Sequence, residues 1–110
     1  TETKSIEMRR LSEYPQHLID AILAIEDERF FNHFGLDPIA IFRALITNIT
    51  AGRVVQGGST ITQQLAKGLF FSSQRTIVRK ILEALAAISI ETAFSKEQIL
   101  EFYLNSVFLE

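Results

Sequence analysis

The chain has 110 residues, a formal net charge of -2, 47% apolar residues and no Cys. That length holds one domain with one modest core, and the missing Cys excludes a disulfide framework, a thiolate metal site and a thiol nucleophile. Near-neutral charge argues against nucleic-acid binding by bulk electrostatics, no apolar run approaches the roughly 20 residues that span a bilayer, and no signal-peptide pattern is present.

The first dozen residues mix charges around Ile6, Met8 and Leu11 and read as a short strand or an arm. Pro15 suits the first turn of a helix, and Leu18, Ile19, Ile22, Leu23 and Ile25 recur at helical spacing, which predicts a helix to about Phe31. At 100° per residue Glu26 falls inside that apolar arc. Asn32 to Gly35 is a loop. Asp37-Pro38 supplies an N-cap and an N1 proline for a helix carrying Ile39, Phe42, Leu45, Ile46 and Ile49, with Gly52 as its stop and Arg53 to Gln56 extended. Gly57-Gly58 is a turn. Thr60 and Gln63 form a capping box for a short helix ending at Gly68. Ser72-Ser73 opens the longest helix, about Gln74 to Thr92, and Ser95 with Gln98 caps a last helix through Glu110. With no repeat, low-complexity tract or linker, the fold class is all-α.

Charges on these helices are informative. In the long helix Ile77, Val78, Ile81, Leu82, Leu85 and Ile88 make one apolar face, with Arg79, Lys80 and Glu83 opposite. Farther along that opposite side come Ala87, Ile90 and Phe94, so the helix is apolar nearly all round and is expected to be central. Its charges must then be paired or open into a cleft; an Arg79/Glu83 pair on a solvated patch is the plainer alternative. A carboxylate within an apolar arc is desolvated and its pKa raised, which suits Glu26 as a general acid or base, against the alternative of a helix-terminal Glu paired with Arg29. No second His stands at ligand spacing from His33, so a zinc site is not indicated. Ser59 lacks a G-x-S-x-G frame, and Gly57-Gly58 lacks the Gly-Lys-Ser/Thr of a P-loop.

Four segments then stand in a telling order. Glu26-Asp27-Glu28-Arg29-Phe30-Phe31-Asn32-His33-Phe34-Gly35 resembles the pattern E-D-x-x-F-x-x-H-x-G, the first signature of the peptidoglycan glycosyltransferases. This is the family of the transglycosylase domain of class A penicillin-binding proteins and of the monofunctional transglycosylases. Gly57-Gly58-Ser59-Thr60-Ile61-Thr62-Gln63-Gln64-Leu65-Ala66-Lys67 resembles the second signature, Arg79-Lys80-Ile81-Leu82-Glu83 the third, and Lys96 to Asn105 the fourth, K-x-x-I-L-E-x-Y-L-N. The likeness covers about residues 14 to 108. Gly68 departs from it, standing where the family usually has Asn.

The resemblance implies a lysozyme-like, mainly α fold with a head lobe and a small membrane-proximal jaw lobe, the jaw falling at 36–56. It implies that residues 1–110 are the N-terminal part of a glycosyltransferase domain, truncated before its fifth motif, with a preceding membrane anchor outside the chain. The implied reaction is inverting glycan polymerisation from lipid II, with loss of undecaprenyl pyrophosphate. By motif position Glu26 is the catalytic base and Glu83 the second carboxylate. Lys67, Arg79 and Lys80 are the pyrophosphate clamp, Ser59, Thr60 and Gln64 bind the donor, and Asp27, Phe30 and His33 shape the floor beside Glu26. Tyr103 and Asn105 brace the cleft. No cofactor is required by the sequence, although the family admits Mg2+ or Mn2+. Implied partners are lipid II, the growing glycan strand, the outer face of the bacterial cytoplasmic membrane, and a transpeptidase domain or proteins of the divisome or elongasome; nucleic acid is not among them. A lysozyme-like glycan hydrolase and a non-catalytic fragment binding precursor or partner are the alternatives.

Overall fold

The structure, a computed structural model, describes residues 8–70 and 76–108. Five helices dominate these residues: α1 (Gln16–Glu26), α2 (Pro38–Ala51), α3 (Ile61–Phe70), α4 (Ile77–Ala93) and α5 (Lys96–Phe108), with 3-10 turns at Leu11–Glu13 and Phe30–Asn32. No strand occurs among the described residues, as the all-α reading expects. The arm expectation for the first dozen residues falls partly outside them.

Local chemistry sets most boundaries. The Asp37 carboxylate accepts from Ala40 N at 3.1 Å with Pro38 behind it, and Gly52 closes α2 in the left-handed region at φ 73°. Asn48 accepts from Val55 N and Gln56 N and donates to Gln56 O, pinning the segment after α2 back onto that helix. Both capping boxes form. Thr60 and Gln63 exchange bonds of 2.9 and 3.0 Å at the start of α3, and Ser95 and Gln98 exchange bonds of 2.9 and 3.1 Å at the start of α5.

Three boundaries differ from expectation. First, α1 ends at Glu26, not Phe31: Asp27 leaves helical geometry at φ -167°, and Phe30 reaches the core from a 3-10 turn instead. The apolar spacing continues past Glu26 because Phe30 is a core residue, not because the helix continues. Second, α3 runs through Gly68 to Phe70, since Gly68 does not adopt the positive φ that a glycine stop requires. Third, α4 opens at Ile77 on Thr76, whose hydroxyl accepts from Arg79 N at 3.1 Å; Ser72-Ser73 lie outside the described residues.

The core gathers where α3 crosses α4 and α5. Ile61, Leu65 and Ala66 of α3 meet Ile90 of α4 and Ile99, Leu100, Tyr103 and Leu104 of α5, with Tyr14, Ile19 and Phe30 completing the cluster. The expectation of a central α4 is met on one side only. Glu83, Ala87, Ile90 and Glu91 face inward, while Ile77, Val78, Ile81, Leu82 and Leu85 are exposed. Helix α2 buries Ala44 and exposes Ile39, Ile41, Phe42, Leu45, Ile46 and Ile49. The arm is clasped to α5: Asn105 accepts from Tyr14 Oη at 2.7 Å and from Arg9 N at 3.1 Å and donates to Arg9 O, and Glu101 accepts from Leu11 N.

Candidate functional site

Two cavities meet at Ser59, which lines both. The larger, about 520 Å³, is bounded by Ser59, Gln64 and Lys67 on one side and Arg79, Lys80 and Glu83 on the other. The smaller, about 120 Å³, is bounded by Glu26, Asp27, Arg29, Asp37, Arg43 and the Gly57 to Thr60 turn. Residues far apart in the chain thus converge because α3 carries its first-turn polar side chains between the end of α1 and the start of α4.

The larger cavity is cationic. Lys80 Nζ donates to Glu83 Oε1 at 2.8 Å and to Ser59 Oγ at 2.6 Å. Glu83 is only 4% exposed, so its charge is offset by Lys80 at i,i+3, not left bare in the core. With Lys67 and Arg79 also lining it, the cavity holds three cations and one carboxylate. The expectation that these charges are paired or open into a cleft is met: Glu83 pairs with Lys80, and all three residues line the cavity.

Glu26 sits differently from expectation. It is exposed at the last turn of α1, beside Ile25 at 79% exposure, so the apolar arc does not desolvate it. Its Oε1 accepts from Gln64 Nε2 at 3.1 Å, and Gln64 Oε1 accepts from Tyr103 Oη at 3.3 Å. That second bond fixes the amide so that its NH2 end faces the carboxylate. Burial, then the nearby Glu26 carboxylate, raises the pKa of Tyr103, so its hydroxyl remains a donor. Arg29 is bonded to Asp37 at 3.3 Å.

The residues expected to shape the floor lie beneath it. Phe30 is 1% exposed, and the His33 and Asp27 side chains 3% and 2%. Thr60 is buried, with its hydroxyl donating to Gly35 O at 2.7 Å and accepting from Gln63 N. Asp27 and Thr60 line the smaller cavity, and of the other expected binding residues Ser59, Gln64, Lys67, Arg79 and Lys80 line the larger one. Among the described residues no three His, Cys, Asp or Glu side chains gather as a metal site, and the larger cavity offers one carboxylate.

Comparison with known proteins follows the same lines. The family described as Transglycosylase matches residues 1–110. Penicillin-binding protein 1A of Aquifex aeolicus (strain VF5) is 58% identical over 99 residues, covering 90% of this chain and 14% of that protein. Penicillin-binding protein 1B of Vibrio cholerae serotype O1 is 53% identical over 91% of the chain and 13% of that protein. Penicillin-binding protein 1A of Escherichia coli (strain K12) is 48% identical over 90% of the chain and 12% of that protein. The chain thus spans between 12% and 14% of the length of these relatives.

Proposed function

The chain belongs to the transglycosylase family, in the form found in class A penicillin-binding proteins, and from that premise we propose that it carries the catalytic cleft of a peptidoglycan glycosyltransferase. The substrate is lipid II, the lipid-linked disaccharide-peptide. The 4-hydroxyl of an acceptor sugar attacks the anomeric carbon of the donor chain, undecaprenyl pyrophosphate leaves, and the α-linked donor becomes a β-1,4 glycan with inversion.

The observation that carries this reading is the cavity with Lys67, Arg79 and Lys80 around a single buried carboxylate. A departing pyrophosphate develops negative charge, and fixed cations stabilise it without reorganising during the reaction. Arg79 suits bidentate phosphate contact and the lysines act as point charges. Glu83 holds Lys80 in place at 2.8 Å, in the cavity that Lys67 and Arg79 also line. A hydrolase of neutral glycan has no such charge to meet, so the cavity favours transfer over the lysozyme-like alternative.

Glu26 takes the proton of the attacking hydroxyl. Exposure at the end of α1 leaves it open to an acceptor, and the Gln64 amide steadies one carboxylate oxygen. The shared Ser59 places this base next to the cationic cavity. The exposed apolar face of α2, with the jaw segment 36–56 around it, rests on the outer face of the cytoplasmic membrane, where the lipid-linked substrate resides. No helix among the described residues is long and apolar enough to cross a membrane.

The test is polymerisation of purified lipid II by the full-length protein and its Glu26→Gln variant. Loss of polymer with donor binding retained is expected; polymer formation by the variant would remove Glu26 from the role of base.

A further inference from the structure

The wall of the larger cavity is not wholly polar. Ile77, the first residue of α4, lines it beside Arg79, Lys80 and Glu83 and is 80% exposed. Among the described residues that bound the cavity it is the one apolar side chain. A hydrophilic anion alone would leave that side chain in water. A ligand that joins a charged head to an apolar chain would cover it.

The layout gives such a ligand a direction. Ser59 lines both cavities and accepts from Lys80 Nζ at 2.6 Å, so the Ser59 side of the larger cavity adjoins Glu26 and is the side of the reacting sugar. A pyrophosphate that carries two substituents carries them at opposite ends. Ile77 stands one turn before Lys80, where α4 begins. From Ile77, Ile81 and Leu85 follow at i,i+4 spacing and are 55% and 57% exposed. At 1.5 Å rise per residue this apolar row is about 12 Å long. It stops just short of Ala87, whose carbonyl lies against Gly35 in the loop that leads into α2. The row thus runs from the cations toward the helix with the exposed apolar face. Leu69 and Phe70, after Lys67, are exposed too, but Phe70 lines a separate cavity with Ile90 and Phe94.

We propose that Ile77 is a specificity-determining residue for the prenyl chain of the donor. The pyrophosphate lies among Lys67, Arg79 and Lys80, the sugar points toward Ser59, and the first isoprene units leave over Ile77 and Ile81. The bound chain covers apolar surface that otherwise faces water, so chain length adds to affinity. The inference rests on the reading of the cationic cavity as the pyrophosphate site.

The experiment is calorimetric titration of the full-length protein with methyl pyrophosphate and farnesyl pyrophosphate, which share a headgroup and differ in the chain. Wild type is expected to bind the farnesyl ester about tenfold or more tightly than the methyl ester. Ile77→Ser is expected to weaken the farnesyl ester about three- to tenfold and to leave the methyl ester within about twofold, while Ile77→Leu keeps the wild-type preference. Arg79→Gln is expected to weaken both, which places both probes among the cations. Ile81→Ser is expected to show the same chain-selective loss as Ile77→Ser and decides the question should Ile77→Ser not fold. A variant that weakens both esters equally, or neither, would overturn the proposal, as would farnesyl binding that Arg79→Gln leaves unchanged. Chain-blind binding with a lowered Tm in Ile77→Ser would overturn it by assigning the row to another segment of the protein. Wild type that binds neither ester would remove the pyrophosphate reading itself. Wild type that binds both, with a chain-blind Ile77→Ser, removes this inference alone.

Discussion

Single residues carry most of the chemistry, and they differ in how legible they were. The trio Arg79, Lys80 and Glu83 is legible as a cleft or a solvated pair because it interrupts an otherwise apolar helix side, but the spacing points to Arg79 as the partner of Glu83, whereas the structure pairs Lys80 with Glu83 at 2.8 Å. Glu26 is singled out by its motif, but its environment is not legible in the sequence. A helical wheel places it among apolar residues, whereas the chain turns away at Asp27 and leaves Glu26 and Ile25 outside the packing. Glu91 was missed, although it shares the inward face of α4 with Glu83, Ala87 and Ile90, and the wheel that singled out Glu83 would have found it. Tyr103 was read as a brace, and its hydroxyl contact with Gln64 gives that brace a specific object. Both tyrosines of the chain are buried, and burial is the main cause raising each pKa above its ordinary value of 10.0. For Tyr14 the Arg9 charge acts in the opposite sense, and Glu101 and Glu13 add to the rise. A folded pKa above the unfolded one means that the neutral hydroxyl's contribution to stability is whole below the unfolded value, near 10.0, and is lost as pH rises through the folded value. Difference absorbance between the protein and its Tyr14→Phe and Tyr103→Phe variants is expected to show each tyrosinate appearing above pH 10.0, together with loss of helical signal. Titration at the ordinary value with the helices intact would contradict the burial argument.

At the scale of elements, capping chemistry was the most legible signal. Asp37-Pro38, Gly52, Thr60 with Gln63 and Ser95 with Gln98 each set the boundary that their side chains imply, because these bonds are local and independent of packing. The ends decided by packing were not legible. Phe30 leaves the helical pattern yet enters the core, and Gly68 stays inside α3 despite a cost of about 1 kcal/mol relative to Ala. A Cβ at Gly68 would meet nothing within 4 Å among the described residues, so these do not require glycine where the family usually has Asn. Gly35 is the opposite case. Its φ is +100°, and a Cβ would stand 3.1 Å from the backbone carbonyl of Ala87 in α4. Its N–H and C=O also serve His33 and Thr60, so the loop between α1 and α2 is locked against α3 and α4 at this residue. Gly35→Ala is therefore expected to destabilise the protein by about 1–3 kcal/mol, measured by denaturant unfolding. A change below about 0.5 kcal/mol would show that the close approach is not rigid.

For the molecule as a whole, the all-α class followed from spacing and scarce breakers, but the sidedness of two helices did not. Spacing locates an apolar face without saying what covers it: α2 turns most of its face outward, and α4 buries the side with Glu83 and Glu91 while exposing its broad isoleucine and leucine face. The α2 face leads to a measurable expectation. Phe42 is 63% exposed and Leu45 53%, so placing Asp at both positions should weaken co-sedimentation of the protein with phosphatidylglycerol vesicles by about tenfold or more. Unchanged sedimentation would assign that face elsewhere. The cleft itself depends on long-range ties, because Glu26 comes from α1, Gln64 and Lys67 from α3, and Arg79, Lys80 and Glu83 from α4. The most direct measurement of the central claim is the initial rate of glycan polymerisation from lipid II by full-length wild type and Glu26→Gln, alongside donor affinity. The arrangement predicts a fall of about 10²–10⁴-fold in rate with affinity within about threefold, as for loss of a positioned general base. A variant polymerising within about threefold of wild type would contradict it.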